Sequence, residues 1–162
     1  METELRAFDP DDLDAVIGLS LRAWEPNFNS FPDLVGAELA AALHPDWRTE
    51  QAQVVRDGCE VSGHQVEVAV VDDQVVGFAV VITDAATAIG ELHLLAVDPA
   101  HQGNRVAASL NDWALDAMRK AGMRMARVGT GGDASHAPAR RTYERAGYVP
   151  IPVVHYFQIL SD

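Results

Sequence analysis

The 162-residue chain holds one cysteine, Cys59, one lysine, Lys120, and no apolar run of the roughly 18 residues that a membrane helix needs. A lone cysteine excludes an internal disulfide framework and a cysteine-rich zinc site. Its neighbours Asp57 and Glu60 disfavour a reactive thiolate. The six histidines are scattered, with neither His-Glu-x-x-His nor Cys-x-x-Cys, so no metal site is expected. A Gly-x-x-x-x-Gly-Lys-(Ser/Thr) phosphate loop is absent as well. Twelve bases against 24 acids give a net charge of −12, the wrong sign for neutralising nucleic-acid phosphates. The acidic opening METELRAFDPDD lacks the basic and apolar regions of a signal peptide. The expectation is a soluble, cytoplasmic protein without nucleic-acid or membrane partners.

A hydrophobic fraction of 48% supports a packed core, and the length suits one domain across residues 1–162. No internal repeat or linker divides it. The charge is uneven: residues 1–98 carry 19 acids and 4 bases, whereas residues 99–162 carry 5 acids and 8 bases. An anionic ligand on the C-terminal part and a cationic one near the N-terminal part would suit that split, although an acidic surface also serves solubility alone.

The patterning predicts a short strand at 5–8, then a helix opened by Asp9 as cap and Pro10 at its first position. That helix breaks into a loop at 24–28. Further helices are expected at 32–43 and from Trp47 to about Asp57-Gly58. β-Branched runs at 65–71 and 74–82 flank Asp72-Asp73, a hairpin signal. A third strand covers 88–97, a helix about 105–121 ends at Gly122, and a strand spans 125–130. A short helix at 138–145 and a last strand at 153–160 complete a mixed α/β order.

The segment from Glu91 to Leu110 takes a strand through a short loop into a helix. The first turn of such a helix leaves backbone N–H groups unpaired, with partial positive charge, and so suits a pyrophosphate. Gln102-Gly103-Asn104-Arg105-Val106-Ala107 resembles the (Gln/Arg)-x-x-Gly-x-(Gly/Ala) motif of the GNAT acetyltransferases. Leu95-Ala96-Val97-Asp98-Pro99 is similar to the family's lead-in strand, and Val75-Val76-Gly77-Phe78-Ala79 to the strand before it. Thr142-Tyr143-Glu144-Arg145-Ala146-Gly147-Tyr148 resembles its Leu-Tyr-x-x-x-Gly-Phe helix end. Arg105 departs from the pattern, standing where the family has glycine. His136 stands where many relatives carry asparagine.

The resemblance implies a mostly antiparallel central sheet flanked by helices, with acyl-CoA at a splay between central strands. It implies transfer of an acetyl group from acetyl-CoA to a primary amine by direct attack in a ternary complex. Cofactor contacts would come from Leu95, Ala96, Val97, Gln102, Gly103, Asn104, Arg105, Val106, Ala107, Ala108, His136 and Tyr143. The candidate catalytic residues are Glu91, His93 and Tyr143. Glu91 stands where some members carry a general base, and burial is expected to raise its pKa. Strict alternation would put Glu91, His93, Leu95 and Val97 on one face. Tyr143 is the candidate proton donor to the departing thiolate. The acidic, aromatic stretch 24–38 suggests a small cationic acceptor. A protein N-terminus or lysine, or a non-catalytic acyl-CoA-binding module, also fits the motifs. A homodimer through Val153, Val154 and Phe157 stays open.

Overall fold

Asp72 and Asp73 both adopt left-handed backbone (φ 49° and 60°), the geometry of a tight hairpin turn. They join β2 (Gln65–Val71) to β3 (Gln74–Asp84) at the centre of the sheet. In the computed structural model, which describes residues 3–160, the strand order is β1-β2-β3-β4-β5. β1 (Glu4–Ala7) and β4 (Ile89–Val97) flank the hairpin in antiparallel pairing. β5 (Met125–Val128) joins β4 in parallel. A parallel step needs a crossover, which α4 (Val106–Lys120) supplies.

Each sheet face buries its own cluster. α1 (Leu13–Val35), α2 (Ala37–Leu43) and α3 (Trp47–Glu60) lie on one side, where Val16, Leu19 and Val55 meet Val68, Phe78, Val80, Leu94 and Ala96. α4 and α5 (Ala137–Arg145) cover the other, where Leu110, Ala114, Met118 and Tyr143 meet Val76, Val81, Leu92 and Val97. Gly58 lets α3 settle closely: a Cβ there would stand 2.7 Å from Leu94 Cδ1.

Three expectations about elements are corrected. First, α1 does not break at 24–28 but continues through Pro26 and Pro32. Tertiary packing holds it, for Phe28 stacks on Trp47 of α3 with ring centroids 4.5 Å apart. Second, the helix expected at 32–43 is divided by Gly36 (φ 89°), which ends α1 and precedes α2. Third, the last strand at 153–160 does not form, and residues 149–160 join no ladder. Val149, Ile151, Tyr156 and Leu160 are at least 84% exposed, so β-propensity there has no packing surface to act on.

Candidate active site

β4 and β5 stay paired for four rungs only, from Ile89–Met125 to Leu92–Val128. β4 then continues to Val97 with β3 on its other edge, so residues 93–97 present an edge without a strand partner. The two strands part here.

On the α4 face, Gln102 Nε2 donates to Val97 O at 3.1 Å and fastens the loop to the strand end. Asp98 accepts from Ala100 N at 3.0 Å and pairs with Arg22 at 2.5 Å. Arg105 takes left-handed backbone (φ 63°) as the N-cap residue of α4, with an exposed side chain and no side-chain cap bond. Arginine thus occupies a conformation that glycine adopts without strain. The first-turn amides of α4 have no acceptor within the helix. Beside them a cavity of about 330 Å³ is lined by Val71, His101, Gly103, Asn104 and Arg105. His101 Nδ1 is buried without a partner. Free amides, a cavity and an orphaned ring nitrogen fit a diphosphate. Ala107 and Ala108 stand in that same first turn.

Tyr143 lies on this face, 9% exposed, its ring 5.9 Å from that of Tyr148 in an edge-to-face pair. Burial, and then the neighbouring Tyr148, push its phenol up to about 12.

Alternation along β4 fails at His93. The register with β3 steps from Val81–Leu92 to Val80–Leu94, leaving His93 as the extra residue of a bulge. Leu95 and Val97 therefore pack on the α4 side, and Leu94 and Ala96 on the α1 side. The single face expected for Glu91, His93, Leu95 and Val97 is not observed. Glu91 and His93 do meet: His93 Nδ1 is 3.1 Å from Glu91 Oε1. The other carboxylate oxygen of Glu91 accepts from Arg127. Burial works to raise the Glu91 carboxyl, but the bonds from Arg127 and His93 outweigh it and hold the group below its usual range. The expected upward shift is thus reversed, because the sequence does not show that Arg127 is the register partner of Glu91.

The sequence singled out His136 as a candidate but not its partners. His136 Nδ1 lies 2.6 Å from Asp133 Oδ1, and Nε2 lies 3.2 Å from Asn27 Nδ2 of α1. Arg140 donates to the carbonyls of Gly131 and Asp133, each at 2.6 Å. The Asp-x-x-His spacing was a signal available in the chain. Asn27, 109 residues away, was not. Cys59 plays no part here, since burial, and then Glu60, push its thiol up to about 11. No cluster of potential metal ligands occurs among the described residues.

The model of the acetyltransferase (GNAT) family matches residues 24–148. A mycothiol acetyltransferase of Sanguibacter keddieii is 32% identical over 140 residues, covering 81% of this chain and 44% of its own length. The chain thus spans less than half of that curated relative. Among solved structures, an acetyltransferase of the GNAT family from Desulfovibrio desulfuricans superimposes with a TM-score of 0.71 at 23% identity, covering 94% of this chain and 88% of that one. A PaiA N-acetyltransferase from Thermoplasma acidophilum, solved with coenzyme A, gives 0.68 at 17% identity, covering 91% and 89%. The motifs at residues 75–79, 95–107 and 142–148 all lie within the matched region, and the chain belongs to the GNAT family of acetyltransferases.

Proposed function

We propose that the protein transfers the acetyl group of acetyl-CoA to a primary amine of a small cationic acceptor, by direct attack in a ternary complex. The observation that carries this reading is the parting of β4 and β5 after Leu92–Val128, which leaves an unpaired strand edge between two chemically different faces. The α4 face supplies the first-turn amides, Gln102–Ala108 and His101 for the diphosphate of the donor. Residues 95–97 offer a free strand edge for the amides of its pantetheine arm. Acetyl-CoA brings the thioester to be attacked.

The α1 face receives the acceptor. Glu91 and His93 form one wall, braced by Arg127, and the acidic stretch of α1 and α2 forms another. Such walls favour an ammonium group on approach. Tyr143 remains a phenol at neutral pH, so it gives a hydrogen bond to the departing sulfur. The proton that ends on sulfur comes from the attacking nitrogen. A small-molecule acceptor also agrees with the name of the Sanguibacter relative. Two copies of the chain are proposed to associate through the exposed tail at 149–160 and the outer edge of β5. Light scattering checks that part.

The test is release of free thiol from acetyl-CoA against spermidine, glucosamine, an aminoglycoside and an alanine-led peptide. Faster release with the small amines supports the reading, and preference for the peptide replaces the acceptor class. Silence with every amine, despite measurable acetyl-CoA binding, leaves a non-catalytic binding module.

A further inference from the structure

We infer that His136, oriented by Asp133, is the base that takes the proton from the acceptor amine; this rests on the acetyl-transfer reading above. Several residues converge on that one imidazole. Asp133 Oδ1 lies 2.6 Å from Nδ1, and a carboxylate only accepts, which assigns the ring proton to Nδ1 and the lone pair to Nε2. Asn27 Nδ2 donates to that lone pair at 3.2 Å. Ser135 binds the second oxygen of Asp133 through both its amide and its hydroxyl, so the carboxylate cannot turn away.

The backbone is shaped to fit. A Cβ on Gly131 would lie 2.4 Å from His136 Nδ1 and 2.5 Å from Asp133 Oδ1, so only glycine leaves room for the pair. Arg140 clamps the same loop through the carbonyls of Gly131 and Asp133. Burial opposes ionisation of Asp133, yet the bonds from Ser135 and His136 prevail and hold its carboxyl down to about 2. It is therefore a carboxylate at working pH, as an orienting partner must be.

Position selects His136 over Glu91. Both carboxylate oxygens of Glu91 are engaged, one of them by the Arg127 cation, which lowers its proton affinity, whereas Nε2 of His136 meets the neutral amide of Asn27. Nε2 of His136 faces Asn27 of α1, the helix assigned above to the acceptor face, and in this assignment the acceptor amine takes the place of the Asn27 amide. The acceptor ammonium gives one proton to Nε2, and its freed lone pair forms the new C–N bond. The C–S bond then breaks, the second nitrogen proton passes to sulfur, and His136 returns its proton to water. Among the described residues, the charged groups hydrogen-bonded to His136 and its loop are Asp133 and Arg140.

Two measurements test this. ¹⁵N NMR of the free protein should find His136 in the Nδ1–H tautomer, changing to Nε2–H in Asp133→Asn. A proton on Nε2 in the wild type overturns the inference whatever the amine panel shows. With the fastest amine of that panel, His136→Gln should lower kcat about 100-fold or more, the range of general-base catalysis. The acidic limb of kcat/KM should vanish while the acetyl-CoA Kd stays within about twofold, and imidazole should partly rescue His136→Ala. Retention of the limb in His136→Gln, its loss in Glu91→Gln instead, or a Kd that rises in step with the fall in kcat would each refute the assignment. A panel silent even for the wild type would count against acetyl transfer itself, leaving the tautomer result to decide on His136.

Discussion

Arg127 and Glu91 face each other across the parallel pairing of β5 with β4, one rung before the strands part, and their side chains form an ion pair. The pair marks where the sheet opens. Arg127 is 68% exposed, so the bridge is solvent-screened and worth little to stability. Glu91→Gln is therefore expected to slow turnover less than about fivefold and to leave the shape of the pH–rate profile intact. A steady-state profile between pH 5.5 and 9 checks this.

Tyr143→Phe keeps the buried ring and removes one hydroxyl. Loss of one hydrogen bond to a developing thiolate should reduce kcat about tenfold, with KM for acetyl-CoA little changed. Pre-steady-state thiol release is the measurement. An unchanged rate would assign Tyr143 to packing alone.

Arg105 carries the left-handed backbone at the entrance to α4. Arg105→Gly removes that strain at some cost in unfolded-chain entropy, a net gain of about 0.5–1 kcal/mol. Urea denaturation reads the change. Acetyl-CoA titration of the same variant shows whether the side chain helps or hinders the phosphates.

Asn111 is fully buried on α4, and neither amide atom has a partner. It lies on the same stripe as Ala107, Ala114 and Met118. Asn111→Leu should stabilise the fold by about 1–2 kcal/mol, because an unpaired buried amide is exchanged for an apolar group of similar size. A lowered Tm would mean that the amide serves an internal ligand or water.

Asp133, Asp12 and Asp98 all have carboxyls held below the usual range. A group depressed in the folded state stabilises it above the unfolded value, about 3.9, and that contribution disappears as pH falls through the folded value. Stability should accordingly decline between about pH 4 and pH 2, the lower bound set by Asp133. Asp133→Asn should flatten that decline in urea midpoints measured across the window.

Much of the fold was legible in the chain because its signals are local. The Asp72-Asp73 turn, the Asp9-Pro10 helix entry, the stop at Gly122 and the Gln102–Ala107 turn each depend on a few neighbouring residues. Local cues misled where packing prevailed over them. Pro26 reads as a break, yet Phe28 on Trp47 carries α1 past it. Residues 153–160 read as a strand, yet a strand needs a partner edge.

The site divides in the same way. The residues themselves determined the family and marked the Gln102–Ala107 turn and the candidates Glu91, His93, His136 and Tyr143. The tertiary structure alone decided what each can do. It paired Glu91 with Arg127, inserted a bulge at His93, and brought Asn27 to His136 across 109 residues. Proton affinity follows from such through-space partners and from burial, and neither is written in sequence spacing.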